Sequence, residues 1–155
     1  MKKLLIIIAS FLLLDTSYAQ LFDATIDGAI PGIDKDVVAH YQKKGYSVAK
    51  YVAHSDDLIF MTGNIKLFDT DKQKRPVLIQ LKKEDASNFV KSIEIQFMSD
   101  SEKDFELHKK IFSERFGKPS SVYNKRAVWQ LHYYKYTIGF NEDGIYHELK
   151  VNKAL

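Results

Sequence analysis

The stretch from Ser101 to Pro119 constrains the fold more than any other. Ser101-Glu102-Lys103-Asp104 has the form of a capping box, in which the first residue and an acid three positions on satisfy backbone groups at a helix start. Phe105, His108, Phe112 and Phe116 then recur at helical spacing, and Leu107 and Ile111 widen the stripe. Gly117 suits the left-handed conformation that closes a helix, and Pro119 prevents its resumption. One amphipathic helix is therefore fixed in the middle of the chain, and both flanks read as strands.

On the amino-terminal flank, residues 89–97 alternate. Ile93, Ile95 and Phe97 point one way and Ser92, Glu94 and Gln96 the other, the pattern of a strand with one buried and one wet face. Further strands are expected over 46–53, 58–68 and 75–81, with Gly63 marking a bulge and Pro76 tolerated at a strand start. An earlier helix is expected over 35–44. Asp34 would be its N-cap, Val37, Val38 and Tyr41 its apolar side, Lys43 and Lys44 its basic end and Gly45 its terminator. Turn signals stand at Asp27-Gly28 and Pro31-Gly32. On the other flank, 120–123 is a short extended piece, and strands are expected over 127–132, 135–140 and 144–151. Asn141-Glu142-Asp143-Gly144 gives the hairpin between the last two.

The class is α+β, in the order α-β-β-β-β then α-β-β-β. Each helix ends in glycine and feeds an antiparallel meander, and Gly45 and Gly117 share their offset with Tyr51 and Tyr123. Two architectures fit. One is a tandem repeat with units 33–98 and 99–155; the other is a single sandwich with both helices on one antiparallel sheet. In its helix-then-meander order and its helix exit Arg115-Phe116-Gly117-Lys118-Pro119, the chain resembles the modules of the beta-lactamase inhibitor protein and of the small outer-membrane assembly lipoprotein. The resemblance implies a binding module rather than an enzyme. The chain departs from those modules in having no cysteine, hence neither their disulfides nor a lipid attachment point.

The amino terminus is expected to be an export signal over 1–19. Lys2 and Lys3 precede an apolar run from Leu4 to Leu14, and small residues at Ser17 and Ala19 mark a cut before Gln20. The run is too short to span a bilayer, which needs about 20 apolar residues. No later segment is apolar enough, so no integral membrane segment is expected after the cut. The remaining domain, 20–155, is expected in the periplasm or secreted. It is large enough to hold together by packing, and without cysteine it must.

The formal net charge of +3 falls by one when Lys2, Lys3 and Asp15 are removed. Charges are interspersed, and Lys72-Gln73-Lys74-Arg75 follows Asp69 and Asp71, so it reads as a solvated loop and no nucleic-acid partner is expected. The histidines at 40, 54, 108, 132 and 147 form no metal-binding pair at helical spacing, and no metal or other cofactor is expected. His132 and His147 would approach each other across the final sheet only with a suitable strand order, and His108 on the apolar stripe reads as a core residue. Asp69-Thr70-Asp71 begins like a calcium loop but lacks its central glycine and late glutamate. A strained serine elbow and a glycine-rich phosphate loop are both missing from the sequence.

The remaining candidate is the aromatic run Trp129 to Tyr136. On one strand, Trp129, Leu131 and Tyr133 would share the core face, and Gln130, His132, Tyr134 and Tyr136 would form a surface for a protein partner. The bland alternative is the ordinary preference of aromatic residues for sheets. The function expected is thus an exported non-catalytic binding protein holding another protein by a sheet face. An inhibitor, an immunity protein and an envelope accessory all fit. A small hydrolase of envelope polymer and a binder of small apolar ligands are the alternatives.

Overall fold

The computed structural model describes residues 25–49, 57–65, 75–85, 87–98 and 100–152. The expected signal over 1–19, the strand segments 50–53 and 66–68, Tyr51, His54 and the 69–74 loop lie outside the described residues.

Two helices and eight strands form among the described residues, and the α+β class holds. Helix α1 is Asp34–Lys43 and helix α2 is Glu102–Phe116. The strands are β1 Ser47–Val48, β2 Leu58–Ile65, β3 Arg75–Lys83, β4 Val90–Phe97, β5 Ser121–Tyr123, β6 Arg126–Gln130, β7 Tyr134–Asn141 and β8 Gly144–Val151. They form one antiparallel sheet in the order β1-β2-β3-β4-β8-β7-β6-β5. Each helix is followed by four strands, because the short piece after α2 pairs with β6 as a strand of its own.

Registers tie the whole sheet together in cross-strand rows. Met61, Ile79, Ile95, His147, Ile138, Ala127 and Val122 make one row from β2 to β5. Leu81, Ile93, Leu149, Tyr136 and Trp129 make the next. Alternation puts both rows on one face, and α2 covers it: Phe112 stacks on Tyr136 with ring centroids 5.0 Å apart, and Trp129 Nε1 donates to the Gly117 carbonyl at 2.8 Å. The other face carries no helix among the described residues.

Several local details differ from expectation, each for a visible reason. Ile33, not Asp34, is the N-cap of α1. An isolated bridge from Ile33 to Phe89 and a bond from Asp34 N–H to the Asn88 carbonyl fix the entry one residue early. Gly63 is no bulge, since it pairs in regular register with Val77. Its role is space: a Cβ there would lie 2.2 Å from Tyr46 Cδ1, so the ring lies directly on the strand backbone. The α2 capping box forms as expected, with the Ser101 N–H and hydroxyl both donating to Asp104 Oδ2 at 2.8 Å. These bonds hold the Asp104 carboxyl below its usual range.

Candidate functional site

The interior under α2 contains a polar chain that the hydrophobic stripe conceals. Arg75 Nη1 donates to Asp100 Oδ2 at 2.6 Å. The same oxygen lies 2.9 Å from His108 Nε2. His108 Nδ1 is 2.8 Å from His147 Nε2, and His147 Nδ1 is 3.0 Å from the Tyr136 hydroxyl. The chain crosses from β3 through the β4–α2 loop and α2 to β8 and β7. His108 is 0% exposed, and His147 and Tyr136 are nearly so. Burial and the neighbouring His108 hold His147 well below the usual imidazole range, so its ring is neutral. Burial pushes the Tyr136 hydroxyl up.

A neutral His147 has one N–H and one bare nitrogen. Both of its contacts are satisfied when it donates from Nε2 to His108 Nδ1 and accepts the Tyr136 O–H at Nδ1.

Tyr136 and His147 form part of the lining of a cavity of about 240 Å³. Ile65, Ile95, Phe97 and Phe112 supply apolar walls, and Asp27, Lys44 and Arg115 supply charge. The Asp27-Gly28 turn is pinned over α1, with Asp27 in the left-handed region at φ 51°. Lys44 Nζ reaches Asp27 Oδ1 at 2.7 Å and the Tyr46 hydroxyl donates to Oδ2 at 2.9 Å. Burial and the Asp27 charge push the Tyr46 hydroxyl up.

The helix-free face is polar by rows. Lys82, Ser92, Lys150, Lys135 and Gln130 form one. Gln80, Glu94, Glu148, Thr137 and Val128 form the next. Ser92, Gln96 and Thr137 are buried here although no helix among the described residues covers them. Ser92 Oγ donates to Glu148 Oε1 at 3.0 Å. Burial first, then the facing Glu148 charge, push the Glu94 carboxyl up.

The four residues expected to form a partner surface do not share one. Gln130 is exposed at the end of β6, on the helix-free side. His132 is exposed in the following turn. Tyr134 is half-buried against the core, and Tyr136 lies within the core. The single strand over 127–132 is interrupted because Asn152 clamps the turn: its Nδ2 donates to the Leu131 and His132 carbonyls at 2.9 and 3.2 Å. Its N–H donates to the Tyr133 carbonyl at 2.9 Å. The turn shifts the parity of everything after it. His132 and His147 are not brought together; His147 instead meets His108, the pair that sequence spacing does not reveal. Among the described residues no cluster of three or more histidines and acids suits a metal. No helix there is long and apolar enough to cross a membrane.

Comparison with protein-family models, curated proteins and solved structures found no match. The geometry of the cavity and of the two sheet faces therefore carries the functional argument.

Proposed function

We propose that this chain is an exported, non-catalytic binding protein that holds another protein against the helix-free face of its sheet. The observation that carries this reading is the asymmetry of the sheet: α2 is packed on one face, while the other is broad and carries lysine and glutamate rows. Both outer strands are short, two residues in β1 and three in β5, which blunts strand addition at the edges and favours the face. Lys82, Lys150 and Lys135 lie in a row beside Glu94 and Glu148, so a partner with an acidic ridge over the lysines would be held in one register. The leader supports export, and the likeness to helix-then-meander modules supports binding and a tandem origin of the two halves.

Photo-crosslinking tests the reading. A crosslinker at Thr62, Gln80 or Lys135 should give one discrete adduct in cell-envelope extract, and the same group at Lys103 or Glu114 on α2 should not. Equal adducts from both sides, or none from the sheet, reject the face.

One observation favours a second reading, the hydrolase of envelope polymer. Glu94 and Glu148 are directly opposed carboxylates, and Glu94 is raised, as a general acid requires. They do not line the cavity of about 240 Å³, whose walls come from the amino-terminal turn, α2 and the core face of the sheet. Release of soluble fragments from purified envelope polymer, abolished by Glu94→Gln, would install this reading in place of the first.

A further inference from the structure

We propose that Glu94, Glu148 and Thr137, from three adjacent strands, form a calcium-binding site at the centre of the helix-free face, a role that stands whether or not that face holds a partner. Register brings the three together. Glu94 of β4 is the Cα partner of Glu148 on β8, and Glu148 is the partner of Thr137 on β7. Residues directly opposed across antiparallel strands have Cβ atoms about 5 Å apart, so two carboxylates and a hydroxyl stand side by side in one row. Tyr136 and Ile138 enter the core, and alternation sends Thr137 to the same face as the glutamates.

Thr137 turns this acidic pair into a site. It is 0% exposed, and its Oγ1 is buried without a hydrogen-bond partner. Valine has nearly the same shape and no hydroxyl to leave unpaired, so packing alone would favour it there. The glutamates are also short of partners. Lys82, Lys150 and Lys135 stand in the neighbouring row, yet among the described residues neither glutamate makes an ion pair. Glu148 Oε1 accepts from the buried Ser92 Oγ at 3.0 Å, which turns that carboxylate towards β4. Burial and the facing Glu148 charge both oppose ionisation of Glu94, and a cation between the two carboxylates offsets both.

The donors select the cation. All are oxygens, which suits a hard ion and not zinc or copper. Three side chains in a row along one sheet do not define an octahedron. Calcium accepts irregular sets of oxygen ligands completed by water, whereas magnesium demands near-ideal geometry. A bare ion is smaller than a water molecule and can meet Oγ1 where water does not. Both glutamates are half-buried, so the ion enters from solvent and keeps waters on that side. With two charged ligands, the expected affinity is that of weak extracellular sites, about 0.1–1 mM. A bound dication requires both glutamates ionised. The hydrolase reading requires a protonated Glu94, so the two uses exclude each other.

The test uses the purified protein stripped with EDTA. It is titrated with calcium chloride by calorimetry, and melted in about 10 mM calcium chloride, in magnesium chloride at the same concentration and in sodium chloride of equal ionic strength. Calcium should raise Tm by about 4 °C over the sodium control, and magnesium by less than half as much. Glu94→Gln and Glu148→Gln should each lose the calcium shift. Thr137→Val should raise Tm without calcium and weaken calcium binding by about threefold to tenfold. A hydroxyl that serves only the fold would leave that affinity unchanged. Coincident calcium and sodium melts, a shift that survives in both glutamine variants, an unchanged affinity in Thr137→Val, or a magnesium shift equal to that of calcium would each overturn the proposal.

Discussion

Glu94 and Glu148 face each other directly across β4 and β8, at the middle of an eight-stranded sheet. Like charges in that position are destabilising, and burial adds to the cost of ionising Glu94. Glu94→Gln should therefore raise stability at pH 7 by about 0.2–1 kcal/mol. A carboxyl with a raised folded pKa binds its proton more readily folded than unfolded, so its ionisation penalises the fold as pH rises through the folded value. The gain should shrink as pH falls towards the ordinary glutamate range and vanish below it. Urea melts of both proteins from pH 7 to pH 3 measure it, and a constant difference would show that charge is not the cause.

Two glycines lie under tyrosine rings, and they should respond differently to alanine. A Cβ at Gly63 would meet the Tyr46 ring at 2.2 Å, and at Gly139 the Tyr146 ring at 2.4 Å. Tyr46 is buried and tied to Asp27, whereas Tyr146 is half-buried. Gly63→Ala should cost about 2–3 kcal/mol and Gly139→Ala about 1 kcal/mol. Thermal melts rank them, and Gly63→Ala in a Tyr46→Ala background should add little further loss.

The buried ladder should behave as a unit. His147→Phe leaves the Tyr136 hydroxyl and His108 Nδ1 without their partner and should cost about 2–4 kcal/mol. Adding Tyr136→Phe removes one of those orphans, so the double variant should be less destabilised than the sum of the singles. Simple additivity in denaturant melts would mean the three groups are not coupled.

Acid should weaken the fold through His147. Its folded pKa lies well below the ordinary value, so below about pH 6.5 the unfolded chain takes up a proton that the folded chain refuses. The unfolded state then binds more protons, and stability rises with pH. The contribution is full above that pH and is lost at up to about 1.4 kcal/mol per pH unit as pH falls. His147→Phe should flatten the slope between pH 6.5 and pH 5 by about one proton.

Patterns of period and punctuation were legible in the sequence. The 101–117 helix, the 89–97 alternation and the Asn141–Gly144 hairpin depend on neighbours along the chain, and each appears where its residues put it. The pairing of β4 with β8 could not be read, because register is decided by strands far apart in sequence. Gly63 shows the same limit: a bulge and a ring-sized gap leave identical traces in one strand. The aromatic run misled because Asn152, lying beyond β8, bends the chain at residues 131–133 and exchanges the faces. His108 reads correctly as core from its stripe, but its partner His147 lies on a strand whose position nothing local reveals.

The innermost strand pair of the sheet joins the middle of the chain to its far end. Between β4 and β8 lie all of α2, β5, β6 and β7. A chain emerging amino end first therefore presents Ile93, Ile95 and Phe97 with β3 on one side and an open edge on the other until residues 145–149 have also emerged. Neither half can complete its apolar layer alone, and the last strand to be made locks both.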